Sequence, residues 1–246
     1  MNPTIQSLFQ RKSVRVFTDQ QISPEDKSLI LQSAAQAPTA GNQQLYTIID
    51  VTDQAIKDIL VKTCDNQPFI ASAKMVLIFC ADCKKWYDAF RFSGCDPRLP
   101  GVGDLALAIS DATIAAQNAV VAAESLGIGS CYIGDIMENC DVQRGILGLP
   151  EYVKPVCMVV IGVPTQQQWE RKKPARFEIG DVVHENTYKP AGAEGFRAML
   201  EKRQGISGED MDRWLLAFTK RKWNCDFSRE MTRSAAQMIR EWGEGK

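Results

Sequence analysis

Apolar and polar positions change period along the chain and divide it into short elements. Ile5, Leu8 and Phe9 recur at helical spacing, which predicts an amphipathic helix over residues 3–10. In Arg11-Lys12-Ser13-Val14-Arg15-Val16-Phe17 the period drops to two. An extended backbone there would project Arg11, Ser13 and Arg15 to one side and the two valines to the other. Ser23-Pro24-Glu25-Asp26 is a helix start, with a capping serine, proline at the first position and acids where the helix dipole favours them. That helix is expected to run to about Gln36 and to end before Pro38. A small polar loop follows, Ala37-Pro38-Thr39-Ala40-Gly41-Asn42-Gln43-Gln44, whose short side chains would let a flat ligand approach the main chain.

Tyr46 to Val51 reads as a strand, residues 53–63 as a helix, and Asn66-Gln67-Pro68 as a loop. The unbroken apolar run from Lys74 to Ala81 predicts a strand buried on both faces. Residues 84–103 carry Trp86, Tyr87, Phe90 and Phe92 around Gly94, Pro97 and Pro100, and are expected to be irregular, either covering a site or packing as an excursion. Residues 104–126, rich in alanine and aliphatics all round, predict a central helix. Residues 127–135 end it and form a strand, and a helix near 138–147 and a strand over 156–163 complete the core. After Pro164 the composition shifts to a basic loop, Lys172-Lys173-Pro174-Ala175-Arg176, and then to charged helical sequence. There Trp214, Phe218, Trp223, Phe227, Met231 and Trp242 are the expected anchors. The expected organisation is a core over 1–164 and a basic loop with a helical arm over 165–246 that wraps the core or a partner subunit.

A chain of 246 residues, 45% hydrophobic and 24% charged, can bury a substantial core. With 29 basic and 30 acidic residues the net charge is −1, which gives no field to recruit nucleic acid or anionic lipid. The N-terminus lacks the apolar run of a secretory signal. The longest apolar-rich segment is interrupted by Asp111, Gln117, Asn118 and Glu124, as befits a buried helix and not a membrane span. The 8 cysteines are scattered through strand and helix segments, and fit free thiols of a cytoplasmic protein. Cys80-Ala81-Asp82-Cys83 has the spacing of a metal half-site, but no second such pair exists, so no metal is expected. Gly127-Ile128-Gly129 begins like a dinucleotide fingerprint, yet Tyr132 stands at the third glycine and a helix precedes it, so that motif fails on context. The single histidine, His184, is expected to be structural, its ring bonded near Tyr188 or a backbone carbonyl.

Two arginines and a serine on one face suit a phosphate, since guanidinium offers forked donors and the hydroxyl a short neutral one. Taken with Ala37–Gln44, the helix Gln117–Gly127, Tyr132-Ile133-Gly134, Lys173-Pro174 with Arg176, and Val183–Tyr188, this segment resembles the flavin-dependent nitroreductase superfamily. The similarity is to its branch of NADPH-flavin oxidoreductases and oxygen-insensitive nitroreductases, and it is weakest over 84–103 and after 190. It implies an α+β, three-layer fold, with a mostly antiparallel central sheet flanked by helices and an extended C-terminal helical arm. It also implies a homodimer with FMN between the subunits.

On this resemblance Arg11 and Ser13, with Lys12 between them, bind the FMN phosphate together with Lys173 and Arg176. Arg15 sits by flavin N1 and O2, where a cation stabilises the reduced ring. Gln67 pairs with the pyrimidine edge, while Pro38, Thr39, Ala40 and Asn42 approach from the other subunit. Tyr132, Ile133, Gly134 and Asp135 line the ring near N5. No side-chain nucleophile is implied. Hydride passes from NADPH or NADH to the flavin, and a small-molecule acceptor (a nitroaromatic, a quinone or free flavin) then replaces the nicotinamide. Two departures stand out: one more residue than usual separates Lys173 from Arg176, and Asp135 replaces a common glycine. The alternative is a flavin-binding sensor or storage protein whose Asp135 and 84–103 insertion exclude substrates.

Overall fold

The computed structural model describes residues 1–243; the last three residues of the expected arm lie outside the described residues. Residues 1–171 and the chain from Arg229 onward form one compact unit, and Lys172–Ser228 form a second. The first unit contains α1 (Pro3–Gln10), α2 (Pro24–Ala35), β1 (Tyr46–Asp50), α3 (Gln54–Thr63), α4 (Phe69–Ser72), β2 (Met75–Asp82), α5 (Lys84–Phe92) and α6 (Val102–Ser125). It continues with β3 (Gly129–Ile133), α7 (Cys140–Leu147), β4 (Val153–Gly162) and α8 (Gln166–Glu170). The second unit holds α9 (Ile179–Val182), α10 (Gly192–Gln204) and α11 (Gly208–Lys222), and α12 (Asp226–Gly243) returns the chain to the first.

The strands form one antiparallel sheet in the order β1-β2-β4-β3. β2 and β4 occupy its centre, and every residue of both is buried, as their continuous apolar runs predict. Alternate residues serve opposite layers. Leu77, Phe79, Val159 and Ile161 pack with α2 and α6, whereas Val76, Ile78, Met158 and Val160 pack with Leu60 of α3 and Ile70 of α4. The expected three layers and antiparallel sheet are therefore present. Each fully buried aliphatic side chain in these layers contributes about 1.5–3 kcal/mol by leaving water.

α6 is long and apolar enough to cross a membrane by length and composition, but its alanine-rich face is spent on the core beside α2, β2 and β4. That face also buries one carboxylate. Asp111, 2% exposed, accepts hydrogen bonds from the Thr39 hydroxyl, from Ala40 N at 2.9 Å and from Leu45 N at 3.1 Å. It thereby holds both ends of the loop over 39–45, in which Gly41, Asn42 and Gln44 all take positive φ. Such backbone is costly for non-glycine residues and persists where its surroundings dictate it.

Residues 11–18 run extended along the sheet rim. Ser13 bridges Ser130 and Phe17 bridges Pro164, with Val14 N donating to Ser130 O at 2.9 Å and Thr18 N to Val163 O at 2.8 Å. The strand ends below are glycines for a steric reason. A Cβ on Gly129 would lie 2.7 Å from Val14 Cγ2, and one on Gly162 would lie 2.7 Å from Phe17 Cδ1. The expected alternation holds only in part: Val14 is buried, but Val16 is 48% exposed, although its O still accepts from Thr165 N at 3.3 Å.

The chain leaves β3 through a single helical turn at Asp135–Met137, and α12 packs against this turn. Glu138, at its end, is 6% exposed. Burial, reinforced by Asp135, Asp65 and Glu230, pushes its carboxyl up to about 7.

Two expectations need correction. Residues 84–92 of the presumed irregular stretch are α5, held together by the spacing of Trp86 and Phe90, whose rings lie 5.5 Å apart. Trp223 is no anchor, being 73% exposed at the frayed end of α11, whereas Trp242 is fully buried edge-on to Tyr152.

Two outcomes are expected. Asp111→Ala strands the N–H groups of partly buried Ala40 and buried Leu45 and should cost about 2–4 kcal/mol in urea unfolding. An acid whose pKa is raised on folding is stabilising while protonated, so the support from Glu138 is complete below about pH 4.5 and fades as pH rises through 7. Glu138→Gln should thus raise the melting temperature at pH 8 by about 2–4 °C and leave it unchanged at pH 5, as read by calorimetry.

Candidate functional site

Three of the sequence-predicted residues meet at β3. The Cys131 thiol, 1% exposed, is pushed up by burial, while Arg15, Ser13 and Arg11, which face it, act in the opposite direction. Arg11 also lies over the Tyr132 ring, with 5.9 Å from its guanidinium carbon to the ring centroid. Among the described residues no carboxylate pairs with Arg11 or Arg15. Arg11 Nε and the Ser130 hydroxyl are buried without any hydrogen-bond partner. Buried donors of this kind cost about 1–3 kcal/mol each when left unmade, so their grouping beside two unpaired guanidiniums marks an anion site.

Arg15 extends the site toward α4. Its guanidinium carbon is 6.0 Å from the Phe69 ring centroid, and its backbone N donates to Gln168 Oε1 at 3.3 Å. Gln67, two residues before Phe69, is half-buried, and its Nε2 donates to Cys64 O at 2.9 Å, so the amide oxygen remains to accept. Cys64 in turn faces Asp135 and Glu138. Arg11, Ser13, Arg15, Gln67 and the stretch Tyr132–Asp135 therefore form one neighbourhood. Ile133 is 2% exposed and belongs to the core, which leaves only its main chain toward a ligand. The Lys12 ammonium donates to Trp169 O, which fastens α8 to the segment.

The loop Pro38-Thr39-Ala40-Gly41-Asn42 is fixed from α6 by Asp111, with Pro38 and Asn42 exposed. Six residues further along α6, Gln117 Oε1 accepts from the Tyr132 hydroxyl at 3.3 Å. Just beyond the loop, Gln43 O accepts from the Trp86 indole N–H at 2.6 Å. This contact borders a cavity of about 260 Å³ walled by Trp86, Tyr87, Phe90, Leu45 and the Arg98–Asp104 pair.

In the second unit, Arg176 Nη1 donates to Pro174 O at 3.2 Å, while Lys173 is half-buried. His184 has the expected structural setting beside Tyr188, 5.3 Å between rings, but its Nδ1 accepts from Lys189 N instead of bonding a carbonyl. Cys80 and Cys83 are both buried and reduced, with thiols pushed up to about 12 by burial. Among the described residues no group of His, Cys, Asp or Glu is arranged to hold a metal ion.

Sequence reasoning missed four contributors. In the sequence Asp111 is only a polar break in an apolar helix, and Cys131 one thiol among eight. Gln168 and Arg171 lay beside the basic loop without a pattern to single them out, yet Arg171 Nη2 donates to Ser13 O and closes the segment from behind. A buried acid four or more residues from any other charge, as Asp111 is, was the available signal.

Comparison with known proteins bears on what this site serves. The Nitroreductase family model matches residues 8–163. An FMN reductase (NADPH) of Bacillus subtilis is 32% identical over 236 residues, covering 90% of this chain and 93% of the relative. An oxygen-insensitive NADPH nitroreductase of Salmonella typhimurium is 33% identical over 191 residues, covering 77% and 76%. Among solved structures, the NADPH:FMN oxidoreductase from Vibrio harveyi complexed with NAD+ superposes with a TM-score of 0.82 at 26% identity, over 97% of this chain and 98% of that one. The family model spans most of the chain and a relative of nearly the same length matches almost all of it, and this chain belongs to the nitroreductase family.

Proposed function

We propose that this protein is an FMN-dependent NAD(P)H oxidoreductase that reduces nitroaromatics, quinones or free flavin by a ping-pong sequence. The observation that carries this reading is the set of unpaired cations at β3, Arg11 and Arg15, with the orphaned Arg11 Nε and Ser130 hydroxyl beside Ser13. A phosphate is the ligand whose oxygens satisfy that donor set. Family membership and relatives described as NADPH-dependent flavin reductases and nitroreductases support it.

Arg11 and Ser13 hold the phosphate, and Lys12 steadies the segment through Trp169. Arg15 supplies fixed positive charge beside the pyrimidine end of the ring, and the free amide oxygen of Gln67 accepts from it. The main chain of Tyr132, Ile133, Gly134 and Asp135 borders the reactive edge. FMN, when bound, supplies the two-electron chemistry between nicotinamide and acceptor. The protein's own contribution is orientation of stacked rings, exclusion of water and the placing of charge.

The assembly proposed is a homodimer. α6 exposes Leu107, Ile109 and Ile114, and α1, which packs on α6, exposes Ile5, Leu8 and Phe9. An apolar surface of this kind fits burial against a second copy, which would carry the exposed Pro38 and Asn42 of each subunit, with Thr39 and Ala40, to the other's flavin. The cytoplasm is the proposed compartment, supported by eight reduced cysteines, six of them buried.

Purified protein should take up FMN and show a flavin spectrum that bleaches on anaerobic mixing with NADPH. Arg11→Ala with Ser13→Ala is expected to weaken FMN binding by roughly 10²-fold, from two lost charge-assisted or neutral hydrogen-bond sets. A protein that binds FMN tightly but is not reduced by either nicotinamide would favour the sensor or storage alternative.

A further inference from the structure

The flavin-facing turn is held from a distant part of the chain. Met137 N donates to Gly134 O and Glu138 N to Asp135 O, both at 3.0 Å, which ties Gly134 and Asp135 to the far end of the turn but gives that far end no hold of its own. Asn139 takes a left-handed conformation, φ 49°, and its N–H and that of Cys140 both meet side chains of α12. The Ser234 hydroxyl, fully buried, accepts from Cys140 N at 3.1 Å and donates to Met137 O at 2.6 Å. One helical turn earlier, Glu230 accepts from Asn139 N at 3.0 Å while Arg233 grips its carboxylate through Nε and Nη2, each at 2.7 Å.

We propose that Ser234 is a positioning residue for the flavin: its hydroxyl, with Glu230 beside it, fixes the turn that carries Gly134 and Asp135 to the ring. This rests on the reading of that turn as flavin-lining. The contacts that dock α12 are separate from those that hold the turn. Trp242 lies edge-on to Tyr152, Lys154 pairs with Glu241, and Gln237 bonds Asp141 of α7. Removing the Ser234 hydroxyl therefore leaves the helix in place and frees the turn alone. A hydroxyl is required because one group must accept from Cys140 N and donate to Met137 O at once.

The test compares Ser234→Ala, Ser234→Thr, Glu230→Ala and, as a control that touches α12 but not the turn, Gln237→Ala, all as holoenzymes. Ser234→Ala is expected to raise the FMN dissociation constant about 5- to 10-fold and to shift the flavin absorption bands and midpoint potential. Threonine should restore both, and Gln237→Ala should stay within about twofold of the parent. Should Ser234→Ala not fold, the half-exposed Glu230→Ala carries the same expectation. Wild-type affinity, spectrum and potential in Ser234→Ala or Glu230→Ala would overturn the proposal. If the parent itself binds no FMN, the functional reading fails, and the clasp is judged by amide exchange: faster exchange at Asn139 and Cys140 in Ser234→Ala supports it, unchanged exchange refutes it.

Discussion

Close contact between an extended segment and two strand ends is the constraint on which the site depends. The cations at 11–15 are held in place because Val14 and Phe17 sit where Gly129 and Gly162 lack a Cβ. That contact brings Ser13 to Ser130 by a backbone bridge and so brings both arginines to Cys131. Lys12 and Arg171 then tie the segment to the chain around α8 through carbonyl groups. Both guanidiniums are left near Cys131 without a paired carboxylate among the described residues, an arrangement that like charges resist unless the backbone forbids retreat. Here the backbone is pinned at both ends of the segment, through Val14 and Thr18.

The second organising element is α6. It fills the space beside the sheet with alanines, and that same smallness lets a single carboxylate reach the 39–45 loop. A buried charge surrounded by three donors is tolerable where an unpaired one is not. The loop gains its shape from this carboxylate, because its own residues, three of them at positive φ, do not favour it.

Much of this was legible in the sequence, and the reasons are physical. Continuous apolar runs identified β2 and β4, since central strands covered on both faces are apolar along most of their length, with the charged Asp82 and Lys154 confined to one end of the pair. Ser23 and Pro24 fixed the start of α2, where the serine hydroxyl accepts from Asp26 N at 3.0 Å. The alternation of Arg11, Ser13 and Arg15 pointed to their common side, although Val16 showed that a bridge of single residues does not enforce strand periodicity. What escaped depends on contacts distant in sequence. Asp111 meets its loop some seventy residues away, and Ser234 meets its turn more than ninety residues away. No local pattern encodes such a pair. α5 was missed because glycine and proline cluster after it, and their signal was carried back over a stretch whose aromatic spacing was helical.

The buried thiols have a consequence for a protein that handles electrons in the presence of dissolved oxygen. Burial pushes the thiols of Cys64, Cys80, Cys83 and Cys157 up to about 12, well above the usual thiol range. Sulfur reacts with peroxides as the anion, the form that burial disfavours at these four. The interior can therefore carry a soft, adaptable filling without becoming the first casualty of stray oxidants.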